Sequence, residues 1–184
     1  MTRTGARSSA SNPTAACRAT TRSAIACGRS GSATRSGSRS TRRPTTCGRP
    51  ENGPECNDEI NGIRGGENYG WGPNETCNGS LPGNTNQDGP SPVLPELFYE
   101  NTIGITGIAF CDGCHLGHRS DGAAFTGAVN NGEVTRIFFN DQRTAITGHA
   151  VVYDHGGSTL SFEVGPGGRI YFSDFDGINK LVRV

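Results

Sequence analysis

From about residue 92 onward, short runs rich in β-branched and aromatic side chains alternate with clusters of Gly, Asn and Asp. That alternation predicts strands separated by tight turns. The runs place strands over 92–99, 105–110, 122–129, 132–139, 148–153, 159–164, 168–174 and 177–184. No window sustains the 3.6-residue period of an amphipathic helix. The turns NNG (130–132), GPGG (165–168) and DFDG (174–177) supply residues that accept positive φ, which hairpins demand.

A weak repeat runs through this region. GIAFCDG…GAAFTGAVNNGEVTRIFF and SFEVGPGGRIYFSDFDGINKLVRV share one order: apolar strand, Gly turn, strand with Phe or Tyr, Gly turn, strand with Arg or Lys. Antiparallel units recurring at roughly 45 residues suggest the blades of a β-propeller. The predicted fold class is therefore all-β, a partial β-propeller of about two blades, with a loop-rich stretch before them. Two blades cannot close a ring by themselves.

Composition divides the chain near residue 50. Residues 1–50 carry ten Arg and no acidic residue, and they contain no Leu, Val, Phe, Tyr or Trp. Residues 51–184 carry seven basic and seventeen acidic residues, so a +10 head is followed by a −10 remainder. The head cannot bury enough apolar surface to offset chain entropy, and its Arg/Ser-rich composition predicts disorder. It lacks the apolar core of a secretion signal, and no stretch approaches the length of a membrane span. No nucleic-acid partner is expected.

Four cysteines lie beyond the head: Cys56, Cys77, Cys111 and Cys114. An even number in a Gly/Asn-rich chain indicates an oxidising, periplasmic or extracellular compartment. Three pairings are open, and Cys56–Cys77 with Cys111–Cys114 is the one favoured. The second pair lies in CDGCHLGH (111–118), which also matches a haem-attachment pattern and offers two imidazoles to a zinc ion. A Gly-rich loop between two strands favours the plain disulfide. NET (74–76) and NGS (78–80) fit the N-glycosylation pattern but read equally as exposed Asn turns.

Chemistry concentrates in ENGPECNDEINGIRGGENYGWGPNETC (51–77). Glu55, Asp58 and Glu59 offer carboxylates within five residues, and the Gly53–Pro54 step can turn consecutive carbonyls the same way. Hard oxygen donors of this kind suit calcium. The same stretch, with NTNQDGPSPVLPELFY, TGIAF and GPGGRIYFSD, resembles the C-terminal part of the glucose/sorbosone dehydrogenase family. Members are six-bladed propellers that use calcium and pyrroloquinoline quinone to oxidise a sugar hydroxyl by hydride transfer. The resemblance implies that the carbonyls of Gly53 and Pro54 bind the calcium touching the quinone. It implies that the Glu59 carboxylate and the Tyr69 carbonyl hold a second, structural calcium, and that Thr102 contacts the quinone.

Departures from the family pattern are as informative. The histidine that acts as general base belongs to an early blade outside the resemblance, so no catalytic residue is assigned. The cations that clamp the quinone's carboxylates fall near Asn130 and Phe162, neither of which is basic. His149 and His155 read as solvated loop residues. The expected function is thus a fragment of a quinoprotein sugar dehydrogenase, inactive as this chain alone. The alternative is a non-catalytic, calcium-stabilised extracellular propeller module that binds protein or glycan.

The head itself departs from the family, which carries a strand ending in Gly-x-Arg-Asn before ENGP. Read one base out of register, codons permitted for residues 27–49 spell a plausible strand pair that includes Gly-Ile-Arg-Asn. Residues 1–50 are accordingly expected to be an out-of-frame translation. The encoding DNA tests this: the third bases under Cys27 to Arg49 should permit the shifted reading, and a single forbidden run would end it.

Overall fold

A computed structural model describes residues 26–28, 46–53, 55–72, 77 and 85–183. These residues form three antiparallel sheets and no α-helix. The first sheet runs β1 (Ala26–Gly28), β2 (Thr46–Glu51), β3 (Cys56–Ile63), β4 (Leu97–Asn101). The second runs β5 (Ile105–Phe110), β6 (Ala124–Ala128), β7 (Glu133–Phe139), β8 (Ile146–Asp154). The third has the order β11 (Ile178–Lys180), β10 (Ile170–Ser173), β9 (Ser161–Val164). The all-β, partial-propeller expectation holds.

The eight predicted runs correspond to β4 through β11, and the two units of the repeat are the second and third sheets. The stretch before them, expected to be loop-rich, instead completes another sheet. β3 runs through the acidic segment, and β1 and β2 lie inside the head for which composition predicted disorder. A strand ladder is made by backbone N–H and C=O groups, which nearly any residue supplies, so poor side chains do not forbid it.

Packing follows from Gly and aromatic placement. Phe162 and Phe172 stack with ring centroids 5.6 Å apart and anchor a cluster with Phe125, Val134 and Ile170 between the second and third sheets. β5 meets β9 so closely at Gly107 that a Cβ there would lie 2.6 Å from the Phe162 nitrogen. A second cluster joins Ile60 of β3 to Ile105, Ile108, Phe110, Ala124 and Ile137. The disulfides are Cys56–Cys77 and Cys111–Cys114, with Cα–Cα distances of 5.6 and 5.0 Å. Both fit an oxidising compartment. Among the described residues no helix is long and apolar enough to cross a membrane.

One side chain couples the first two sheets. Asp58 on β3 is fully buried. Its Oδ2 accepts the N–H groups of Ile103, Gly104 and Ile105 at 2.8, 2.7 and 3.3 Å, and its Oδ1 accepts that of Gly53 at 3.1 Å. A charged acceptor on buried backbone donors is worth about twice a neutral one. Asp58→Asn turns an NH2 group toward these donors, and we expect a loss of about 3 kcal/mol in urea unfolding, as for other broken buried networks. Unchanged stability would deny Asp58 this coupling role.

Candidate functional site

β3 presents its two acids in opposite directions because successive strand residues leave on opposite faces. Asp58 turns to the 103–105 backbone, whereas Glu59 faces Asn86. The carboxylates of Glu55, Asp58 and Glu59 therefore do not converge as a loop would have let them. Asn57, in the left-handed region at φ 61°, sits just before the two acids, between the β4 pairings of Cys56 and Asp58.

What does converge on Glu59 comes from the neighbouring strand. In the β2–β3 register Glu51 stands directly opposite Glu59, and Arg49 opposite Asn61. Glu51 is 6% exposed and Glu59 is 0% exposed. Glu59 accepts the Asn86 N–H at 2.9 Å and an Asn61 amide hydrogen bond at 3.3 Å; Arg49 lies 3.5 Å from Glu51. Burial pushes the Glu59 carboxyl up to about 7, against the pull of the Asn86 and Asn61 hydrogen bonds, and the Glu51 charge adds to the rise. Burial also raises Glu51, with Arg49 opposing. Like charges directly across an antiparallel pair repel. Around them the oxygens Glu51 Oε1, Asn61 Oδ1 and Asn86 Oδ1 are buried without a hydrogen-bond donor, and the Asn86 Nδ2 donor is buried beside them without an acceptor.

The Tyr69 loop closes on the same corner. Gly70, at φ 72°, lies so near Asn86 that a Cβ would meet its carbonyl oxygen at 2.1 Å. Asp88 N–H donates to the Gly70 carbonyl at 2.8 Å, and the Asn68 amide donates to the Asp88 and Pro90 carbonyls at 2.7 and 3.1 Å. Segment 68–70 is thus fastened to segment 86–90, whose Asn86 holds Glu59. The Tyr69 hydroxyl accepts Arg64 N–H at 2.7 Å and is 3.0 Å from both Gly62 O and Glu67 Oε2. Burial first, then the Glu67 carboxylate, raises its pKa.

Gly53 is buried and tied to Asp58 on the other side of β3. Thr102 adjoins Ile103 on that same carboxylate; its carbonyl accepts the Asn130 amide at 2.9 Å, and its buried Oγ1 has no hydrogen-bond partner. Pro54 lies outside the described residues, as do the two Asn of the glycosylation patterns. Glu51, Asn61, Asn86 and Trp71 were not singled out from sequence. Trp71 is 62% exposed while its indole N–H is fixed on the Asn52 carbonyl at 3.1 Å. For Glu51 the signal was the acidic run itself, but its partner is set only by the β2–β3 register.

Other candidate features fall elsewhere. Cys111 and Cys114 are joined to each other, so their sulfurs are engaged in a disulfide rather than offered to zinc or haem, and His115 and His118 are exposed. His155 is not a solvated loop residue: its Nε2 donates to Asp174 Oδ2 at 2.8 Å and its ring packs edge-on to Phe172. Partial desolvation pushes Asp174 up, but bonds from Gly177, Asp176, Asn179 and His155 hold it below the usual carboxylate range. His149, on β8, is exposed and faces the Tyr99 ring edge-on. Phe162 belongs to the core and is 1% exposed. Among the described residues no group of three or more His, Cys, Asp or Glu side chains is arranged to hold a metal ion.

Comparisons with known proteins bear on this arrangement. The profile of the Glucose / Sorbosone dehydrogenase family matches residues 31–183, including part of the Arg/Ser-rich head. Comparison with curated protein sequences gives no match. Among solved structures, a glucose dehydrogenase superposes with a TM-score of 0.60 at 24% identity, over 76% of this chain and 41% of its own. A second glucose dehydrogenase gives 0.59 at 23%, over 76% of this chain and 42% of its own. The soluble aldose sugar dehydrogenase (Asd) from Escherichia coli, in its apo-form, gives 0.55 at 23%, over 73% of this chain and 40% of its own. At these identities the structures speak to the fold, and the chain spans less than half the length of each. With the profile running through the β3 carboxylates, the Tyr69 loop and all three sheets, the chain belongs to the glucose/sorbosone dehydrogenase family.

Proposed function

We propose that this chain is a portion of a calcium-dependent sugar dehydrogenase of the quinoprotein type, inactive as it stands. The observation carrying the proposal is the buried Glu51–Glu59 pair in the family's signature segment, ringed by oxygens that lack donors. Two facing carboxylates in a desolvated corner are destabilised unless protonated or bridged by a cation. Calcium takes six to eight oxygens from carboxylates, amide oxygens and backbone carbonyls. Glu59, Glu51, the Asn61 and Asn86 amide oxygens and the Tyr69 carbonyl offer that donor set, and the carbonyls of Gly53 and Pro54 are the candidates for a second ion. In the intact enzyme calcium supplies Lewis acidity.

The quinone fits less well. At the positions where its carboxylates need cations, Phe162 is sealed in the core and the Asn130 amide is spent on the Thr102 carbonyl. Among the candidate quinone contacts Thr102 Oγ1 is buried without a partner, and one hydroxyl does not make up for the missing cations. This favours a second reading, a non-catalytic extracellular propeller module that binds protein or glycan and uses calcium for structure alone. In both readings the fixed, exposed Trp71 is the side chain best suited to stack on a sugar. The disulfides favour a periplasmic or extracellular location.

Assayed with calcium, quinone, glucose and a dye acceptor, the chain should give background turnover, and a measurable rate would refute its inactivity. Quinone titration of a longer, in-frame protein separates the readings: calcium-dependent absorbance changes mark the enzyme, and none mark the module.

The metal is tested by melting. The Glu59 carboxyl has a folded pKa of about 7 against 4.5 in the unfolded chain. Its contribution is therefore fully present below pH 4.5 and lost as pH rises through about 7. In EDTA the melting temperature should fall between pH 5 and 8, and Glu59→Gln should flatten that fall. Saturating calcium at pH 8 should restore roughly 5 °C or more to the unmodified chain and nothing to Glu59→Gln. Melting indifferent to chelator would remove calcium from the proposal.

A further inference from the structure

β1 and β2 are joined by three residue pairs: Ala26 with Gly48, Cys27 with Cys47 and Gly28 with Thr46. Two of the three contain glycine, which weakens a strand because it loses more conformational freedom and packs no side chain. The head that supplies them contains no Leu, Val, Phe, Tyr or Trp to reinforce the ladder. Backbone hydrogen bonds alone therefore hold β1 weakly. The central pair of the ladder, however, sets two cysteines directly opposite each other.

Register makes that placement chemically specific. Residues directly opposed in an antiparallel pair have Cα atoms about 4.5–5.5 Å apart. A cystine needs roughly 4.4–6.8 Å, so joining the two calls for no backbone shift. On its other side Cys47 stands opposite Ile63 of β3. Cys56 is bonded to Cys77, and Cys111 to Cys114. Cys27 is thus the cysteine that the described ladder offers to Cys47.

We propose that Cys27 and Cys47 form a third, cross-strand disulfide that fastens β1 to β2. The two thiols lose two protons and two electrons as the sulfur–sulfur bond forms. A disulfide oxidant such as oxidised glutathione takes them up, and its own sulfur–sulfur bond breaks to give two thiols. Strand alternation puts Cys47 on the same face of β2 as Arg49 and Glu51. Gly48, between them, lies against Ile108 and Phe110 of the second sheet. The bond therefore braces the strand that sets Glu51 opposite Glu59. The inference requires neither calcium nor sugar oxidation.

The test folds the full chain with oxidised and reduced glutathione, alkylates free thiols in denaturant and maps the peptides before and after reduction. Cleavage at Glu51 or Glu55 separates Cys47 from Cys56. Neither Cys27 nor Cys47 should take the label until the chain is reduced, and the peptides that carry them should be linked. Cys27→Ser with Cys47→Ser should speed exchange of the 46–51 amides roughly tenfold or more, leaving those of 124–139 unchanged. Labelling of either cysteine before reduction overturns the proposal, as does a link from either to Cys17 or to a second chain. Exchange of 46–51 that ignores the double substitution overturns the bracing role.

Discussion

The Asp58 carboxylate is the constraint on which the arrangement of the first two sheets rests. It is fully buried, yet it accepts N–H groups from two stretches of backbone, Gly53 before β3 and 103–105 at the entry to β5. Entry segments that bend away from regular pairing leave amide donors without ladder partners, and buried donors must be satisfied. A single anion does this for both. Thr102 and Gly53, distant in sequence, consequently lie at the same carboxylate. The Ile60 cluster then packs across the junction that Asp58 has set.

Neighbouring Glu59 is equally buried but serves no comparable structural purpose. It accepts one backbone N–H, faces the carboxylate of Glu51 and is pushed up to about 7 by burial. The contrast follows from strand geometry: adjacent residues enter opposite environments, one rich in backbone donors and the other rich in oxygens. A donor-rich side stabilises an anion as it stands. An oxygen-rich side stabilises it only with a proton or a cation, which is why the candidate metal corner is on the Glu59 side.

The junction between the second and third sheets is built differently. It depends on stacked Phe162 and Phe172, on the close approach at Gly107, and on the His155–Asp174 hydrogen bond at its rim. The Cys111–Cys114 turn is fastened there too, with Asp112 paired to Arg143 and Gly113 N–H on Asp121. Apolar packing thus closes the inner part of this junction, while its outer part opens into a groove lined by β8 and β11. Placing Phe162 in this core also removes it from any role in gripping a charged cofactor.

Local pattern alone determined the strands from β4 to β11, their hairpin turns and the family signature at 51–77, while it left three cysteine pairings open and favoured the one the fold adopts. Strand periodicity and turn chemistry act between near neighbours, so they can be read in order along the chain. Tertiary structure decided the rest. That β3 is a strand was hidden because its polar, acidic residues are those of a loop by composition, and only pairing with β2 and β4 makes them a ladder. Glu51 became a partner of Glu59 through register, Asn86 through loop closure over Gly70, and His155 a fixed residue through Asp174. Each of these depends on contacts between segments far apart in sequence, and their desolvation and mutual charge exist only once the sheets have packed.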